Sequence, residues 1–429
     1  MGKQNLICAL DIGSSKLVAI LGRIDPATGA LSVVGSSEVN CRGARGGVVV
    51  NIPEAARAIT QAVELCEEKL QDKDSDAIDN VIVMARGNHL QSFNNKGAYN
   101  IARTDKEITS GDVDSVLEIA QAVPISHDRE VLHAMPQDFW VDRQKGVPNP
   151  VGMEGSLLEV DVHILTATSS HLNNLTKAVN QAGFRTQQII YGIFALGETV
   201  VTMEEREQGC LLIDFGGEAI SLGVYSEGSL RYSKEIHMGM DTLTRDLAYY
   251  MRTSLSHAGR IKEQHGACLT SLVTADEDIE YFGIDGREIK RIKKKTLVEV
   301  IQPRVEEMFT LIHKDLETAG WLDTIVPGGI ILTGGGSLLR GLTEASMELM
   351  GVPSRLGLPQ LEDFESPNEI VLNPTYATAI AGLHFFRRPP LWGDRSFSGG
   401  RGSTDAIIGR KSRNGVGRKI RDFIEELFS

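Results

Sequence analysis

An internal echo constrains this chain more than any other feature. Leu6 to Lys16 reads LICALDIGSSK, and Cys210 to Glu218 reads CLLIDFGGE. Each is an apolar run ending in Asp (Asp11, Asp214), followed by a glycine turn and a second apolar run, Leu17 to Arg23 in one copy and Ala219 to Tyr225 in the other. A third run follows in both, Leu31 to Glu38 and Leu230 to Ile236. Short apolar runs punctuated by glycine turns read as buried strands. Helical patterns such as Pro53 to Gln71 follow these units, so the chain is expected to be an α/β protein built of two similar halves facing each other. A third glycine turn, Thr333-Gly334-Gly335-Gly336-Ser337, follows the apolar run Gly329 to Leu332 and precedes a helical pattern.

Glycines after a strand let backbone N–H groups approach phosphate oxygens, and a hydroxyl or lysine completes the contact. In the first turn Gly13, Ser14, Ser15 and Lys16 suit terminal phosphates, and Asp11 can hold Mg²⁺ through water. In the second, Asp214 is expected opposite Asp11, with Gly216 and Gly217 against the phosphates. The third turn is expected beneath the α-phosphate and ribose. A single turn of this kind is only a tight turn. Three of them, two duplicated, point to a nucleotide cleft.

The C-terminal stretch Gly415 to Ser429 carries a different message. Val416, Ile420, Phe423, Ile424, Leu427 and Phe428 fall on one helical face, while Arg418, Lys419 and Arg421 gather in the first half of the other. Such a helix lies in the headgroup layer, with apolar side chains toward the acyl chains and cations on anionic lipid. The alternative is a terminal helix docked on the protein's own body. The preceding stretch, 387–414, is rich in Gly, Ser, Pro and Arg and has no sustained period, so it reads as a disordered linker, which favours the membrane. Residues 387–429 hold ten Lys/Arg against five Asp/Glu on a chain of net charge −13, so a basic tail is joined to an acidic body. No apolar run approaches the ~18 residues of a membrane span. The five cysteines (Cys8, Cys41, Cys66, Cys210, Cys268) show no CxxC spacing, which argues for a reducing compartment and against disulfides and structural zinc. The ten histidines show no metal-ligand spacing, and His133 and His163, in apolar runs, read as satisfied core residues.

With LDIGSSK, LLIDFGG, TGGGSLLRGL and YATAIAGL (Tyr376 to Leu383), the chain resembles the actin, Hsp70 and sugar-kinase superfamily. Within it, VIVMARGNHLQSFNNKGAYNIAR, EITSGDVDSVLEIAQAVPI, REVLHAMPQDFWVD and NPVGMEGSLLEVDVHILTA resemble the bacterial cell-division FtsA family, a likeness running from residue 5 to about 386. The resemblance implies an actin-like fold of duplicated ribonuclease-H-like halves with an inserted 1C subdomain of SHS2 type. Subdomain 1A would comprise 5–83, 164–198 and 375–386, and 1C residues 84–163. Subdomain 2A would comprise 199–240 and 328–374, and 2B residues 241–327, followed by the 387–414 linker and the 415–429 helix.

The family binds ATP with Mg²⁺, forms actin-like filaments on the cytoplasmic face of the inner membrane at the division site, and anchors the tubulin-like FtsZ ring through the FtsZ C-terminal peptide. It also recruits later division proteins through 1C. By resemblance, Asp11 and Asp214 would serve the metal, Lys262 of the His257–Lys262 stretch the nucleoside, and Lys293, Lys294, Lys295 and Arg304 the FtsZ peptide. A basic run without interleaved aromatics on an acidic body argues against nucleic acid. The water-orienting Gln or Glu of actin-like enzymes is missing: the matching position lies near Tyr191 or Gly192, with Glu198 further along. Glu218 replaces a small residue beside the phosphates, so slow or negligible ATP hydrolysis is expected. The competing readings are a type IV pilus-type actin-like assembly ATPase, which would lack the terminal helix, and a superfamily phosphotransferase, which would need an Asp base beside an acceptor pocket.

Overall fold

The computed structural model describes residues 5–25, 28–70, 78–360, 364–365 and 368–387. The linker and terminal helix expected at 387–414 and 415–429 lie outside the described residues, apart from Arg387. All described residues belong to one compact unit.

Two sheets carry the echo. In the first, the strands run in the order Arg185–Tyr191, Asn80–Ala85, Asn5–Ile12, Lys16–Ile24, Leu31–Asn40 and Phe364–Glu365. In the second, the order is Ser229–Ile236, Ile220–Ser226, Cys210–Phe215, Ile330–Thr333 and Ser354–Leu356. Each half therefore has an antiparallel three-strand meander whose first strand also pairs, in parallel, with a later one. The correspondence reaches single residues. Asp11 lies between Val18 and Met84, and Asp214 between Ser221 and Thr333. The two Asp-bearing strands are buried on both faces, over 7–12 and 210–215, so they read as continuous apolar runs rather than alternating ones.

The helix Ile52–Glu67 packs against the first meander through Ala55, Ile59, Ala62, Val63 and Cys66, and its first turn is capped by the Asn51 side chain accepting from the Glu54 amide. The long helix Lys294–Ala319 buries Leu297, Ile301, Val305, Met308, Phe309 and Ile312 against the second half. It begins at Lys294, so the basic run Lys290–Lys295 is split between a strand, Ile289–Lys293, and the first helical turn. Lysines at a helix N-terminus oppose its dipole. A distant acid supplies the missing cap, because Asp276 Oδ1 accepts from the Lys295 amide at 3.0 Å. All five cysteines are buried and free. Among the described residues no helix is long and apolar enough to cross a membrane.

A further sheet, in the order Leu90–Asn100, Leu157–Thr168, Arg129–Val141 and Gln144–Val147, carries the helix Ser110–Gln121 on one face. It docks onto the edge strand Ser229–Ile236, whose outward carbonyls would otherwise need water. Ser92 Oγ donates to the Ser233 carbonyl (2.7 Å), Asn94 Nδ2 to that of Arg231 (3.0 Å) and Gln137 Nε2 to that of Leu230 (2.7 Å). Because the Asn94 amide nitrogen is so used, its Oδ1 accepts from His163 Nδ1 at 2.6 Å, leaving His163 Nε2 to accept from Ser233 Oγ at 2.9 Å. Burial pushes the His163 ring down to about 3, so it stays neutral and acts as a structural connector. His133 is equally internal, its Nε2 accepting the Tyr191 amide.

Beneath this junction lies a cavity of about 360 Å³ lined in part by Tyr191, Ser233 and Glu235. Glu235 accepts from the Gly87 amide (2.9 Å) and Ser221 Oγ (3.0 Å), yet burial pushes its carboxyl up to about 7. The folded protein thus holds a proton that the unfolded chain releases near pH 4.5. The associated stability is complete below that value and is lost as pH rises through 7. Glu235→Gln is therefore expected to flatten the pH dependence of unfolding, gaining on the order of 2 kcal/mol over the parent at pH 8 and almost nothing at pH 4. Denaturant titrations at both pH values check this, and parallel profiles would contradict it.

Candidate functional site

The two echoed turns share their hydrogen bonding as well as their sequence. Gly13 N–H donates to the Lys16 carbonyl and Gly216 N–H to the Ala219 carbonyl, each at 3.0 Å. A Cβ at either glycine would come within 2.6 or 2.7 Å of that same carbonyl oxygen, so only glycine allows so tight a turn. The third turn closes against the second. Gly334 has φ +79°, and a Cβ there would lie 2.0 Å from Asp214 Oδ1. Gly336 abuts Met240 and Phe215, Gly335 faces Thr375, and Ser337 Oγ donates to the Gly334 carbonyl. All three turns therefore meet in one cleft between the halves.

Side chains span that cleft. Ser15 Oγ donates to Asp241 Oδ2 at 2.7 Å, joining the first turn to the helix Met240–Met251 of the other half. The Gly46 amide donates both to Ser14 Oγ (2.8 Å) and to Glu218 Oε2 (3.0 Å). The charge of Glu218 is thus partly met, with Arg245 3.4 Å away on its other oxygen. Lys16 turns to Glu38 at 2.6 Å. Lys262 donates to the Met240 carbonyl and Thr244 Oγ1, with burial holding its ammonium below its ordinary value. The exposed Arg260 of the same helix makes no such bond to that wall.

Arg86, which the sequence reading passed over, sits at the centre. Its Nη2 lies 2.7 Å from Asp11 Oδ2 and 3.1 Å from Asp214 Oδ2, and it donates to Thr378 Oγ1 at 3.3 Å. Thr378 in turn donates to Asp214 Oδ2 at 3.3 Å. Burial pushes Asp11 up to about 6, with Arg86 pulling it down and Asp214 pushing it further up. The Arg86 guanidinium is held above its ordinary value by Asp11, Asp214 and Glu235, against the effect of burial. One signal for this residue was available. Arg86 directly follows the apolar strand Asn80–Ala85, which runs parallel to Asn5–Ile12 and ends level with Asp11. Asp241 and Gly46 carried no local signal, and Thr378 lies in the YATAIAGL stretch without having been singled out.

This arrangement does not fit the expectation that Asp11 and Asp214 serve Mg²⁺. Oδ2 of each already accepts from Arg86, and Asp214 Oδ1 packs against Gly334, although Oδ1 of both carboxylates is buried without a hydrogen-bond partner. Among the described residues no group of three or more His, Cys, Asp or Glu gathers to hold an ion. At the expected water-orienting position, Tyr191 is fully buried and Gly192 opens a helix. Glu198, in that helix, pairs with Arg206 at 2.7 Å.

The four residues expected to hold the FtsZ peptide are divided. Arg304 lines a groove of about 320 Å³ with Asp246, Tyr249, Tyr250, Val300, Pro303 and Glu307. Lys293, Lys294 and Lys295 stand at the start of the same helix, outside this lining, and Lys293 pairs with Asp278 at 3.1 Å.

The tightness of the third turn gives a direct test. Gly334→Ala is expected to cost at least about 2 kcal/mol in unfolding free energy, because it adds a clash with Asp214 to an unfavourable φ. Gly351→Ala, also at positive φ but with open space around it, is expected to cost about 1 kcal/mol. Equal costs would contradict the close approach.

Comparison with known proteins bears on this cleft. Residues 87–166 match the family model described as the SHS2 domain inserted in FTSA, and residues 211–381 match that of cell division protein FtsA. The chain is 35% identical over 380 residues to cell division protein FtsA of Pseudomonas aeruginosa, covering 89% of each chain. Among solved structures, the PilM-PilN type IV pilus biogenesis complex matches with a TM-score of 0.65 at 16% identity, over 89% of this chain and 99% of that one. MreB5 of Spiroplasma citri bound to ADP matches at 0.52 and 14%, over 89% and 95%. The MamK double helical filament matches at 0.51 and 12%, over 90% and 99%. The structural matches show an actin-like fold, and the sequence matches show that the chain belongs to the FtsA family of cell-division proteins.

Proposed function

We propose that this chain is an ATP-binding actin-like switch that assembles into filaments on the cytoplasmic face of the inner membrane at the division site, anchors the FtsZ ring there and recruits later division proteins through the 84–163 region. The observation that carries the reading is the convergence of three glycine turns from both halves on one cleft, in a chain of the FtsA family. ADP in the related MreB5 fold supports a nucleotide in such a cleft, and the MamK filament supports self-assembly. Phosphoryl transfer depends on positioning and charge, and no water-orienting carboxylate or amide stands at Tyr191–Gly192, so hydrolysis is read as slow.

The groove beside Arg304 suits the apolar face of an amphipathic peptide, its lining carrying two carboxylates, Asp246 and Glu307, against the one guanidinium they hold. Tyr249 is 89% exposed and Tyr250 55%, so aromatic faces stand open to an apolar strip. Arg304 is presented rigidly, held by Asp246 at 2.7 Å and by Glu307. The FtsZ C-terminal peptide is the occupant proposed, with the lysines at the helix start adding only long-range attraction. Substitution of Tyr249→Ala is expected to weaken FtsZ-peptide binding at least about tenfold in a titration, because an aromatic anchor is lost. Lys294→Ala is expected to change it less than about threefold.

The 415–429 helix is the proposed anchor. Six apolar side chains at roughly 1 kcal/mol each and basic residues at a similar value give gross binding on the order of 5–10 kcal/mol before the cost of helix formation. One anchor is therefore reversible, and a filament of many binds by avidity. In co-sedimentation with anionic vesicles, the full chain with ATP is expected to bring FtsZ to the pellet, and a chain ending at Asn414 to leave both proteins in solution. Equal pelleting of the two chains would contradict the anchor. Pelleting of the full chain without FtsZ would favour another membrane actin.

A further inference from the structure

Two opposing carboxylates beside a polyphosphate need a cation, and the structure places one there covalently. We propose that Arg86 takes the part of the divalent ion in this cleft, so that nucleotide binds this chain with little dependence on Mg²⁺. The inference rests on the nucleotide reading above and adds a property that the reading does not require.

Position is the first ground. Nη2 of Arg86 reaches one oxygen of each carboxylate, at 2.7 Å for Asp11 and 3.1 Å for Asp214, and so spans the two halves where an ion would otherwise bridge them. The second ground is direction. Nη1 lies toward the second phosphate turn, where a Cβ on Gly216 would be 3.2 Å from it. A guanidinium carries five N–H donors in a planar fork, so one edge can serve carboxylates while another meets a phosphate oxygen.

Immobility is the third. The backbone at Arg86 is packed against the Gly46–Gly47 loop so closely that a Cβ on Gly47 would be 2.1 Å from the Arg86 carbonyl oxygen, and one on Gly87 2.0 Å from that of Gly46. The Gly87 amide is also held by Glu235 at 2.9 Å. The side chain is 12% exposed, and Thr378 Oγ1 accepts from it at 3.3 Å. A hydrated ion bridging Asp11 and Asp214 through Oδ2 would have to displace a cation bonded to both, which leaves only the buried, unpartnered Oδ1 atoms. The arginine needs no such ion, because its charge is permanent.

The test is ATP binding by the full chain, measured by calorimetric titration in Mg²⁺ and in EDTA, for the parent and for Arg86→Gln. Thermal melting in Mg²⁺ without nucleotide provides a second readout. For the parent, affinities in the two buffers are expected to agree within about threefold, with no Mg²⁺ effect on melting. For Arg86→Gln, ATP affinity in EDTA is expected to fall more than about tenfold and to recover in Mg²⁺, and Mg²⁺ alone is expected to raise the melting temperature because the acid pair is freed. Parent binding that appears only with Mg²⁺ overturns the proposal and leaves the nucleotide reading intact. Parent-like behaviour of Arg86→Gln in both buffers also overturns it. No ATP binding by the parent in either buffer overturns both. If the variant does not fold, the parent's two affinities decide the question alone.

Discussion

The two halves of this protein meet across buried charge, and Arg86 makes that meeting possible. Asp11 and Asp214 end equivalent strands in the two sheets and face each other with little access to water. Two carboxylates so placed repel, and each lacks the hydration that would support its charge. The guanidinium between them, tied also to Thr378, turns repulsion into a bridge. Removing such a partner from a buried cluster typically costs about 3–5 kcal/mol, because charges are left uncompensated. The Ser15–Asp241 bond at the mouth of the cleft depends on the same approach of the halves.

Rigidity elsewhere supports this centre. The four-stranded sheet that contains Leu90–Asn100 follows Arg86 almost directly in the chain and is bonded to the edge strand Ser229–Ile236 of the opposite half. The same strand carries Glu235, which holds the Gly87 amide beside Arg86. The docking of that sheet and the position of the arginine are thus linked through two or three covalent and hydrogen-bonded steps. A partner that shifted the docked sheet would act on the cleft through this route.

Much of the framework could be read from local pattern. The duplicated strand, Asp and glycine turn are signalled by residue type within about ten positions, which is the range over which period and turn chemistry act. The six strands of the two meanders therefore appear close to where the apolar runs place them. What could not be read are contacts made by folding distant segments together. Ser15 and Asp241 are 226 positions apart, and Arg86 and Thr378 are 292 apart. The Lys290–Lys295 run hides the start of the long helix for a related reason. Its charges oppose a helix start, and only the distant Asp276 explains why the helix begins at Lys294. The resemblance groups Lys293, Lys294 and Lys295 with Arg304, and the structure sets Lys293 at a strand end and Lys294 and Lys295 in the first turn of the helix that carries Arg304.

The central claim is that one nucleotide site is built by both halves together. Hydrogen–deuterium exchange of the full chain with and without ATP tests it most directly. ATP is expected to slow exchange jointly in residues 11–16, 214–218, 239–246 and 334–337, the turns and the helix start that converge on the cleft. Protection confined to one half, or exchange unchanged by ATP in all four segments, would contradict the account.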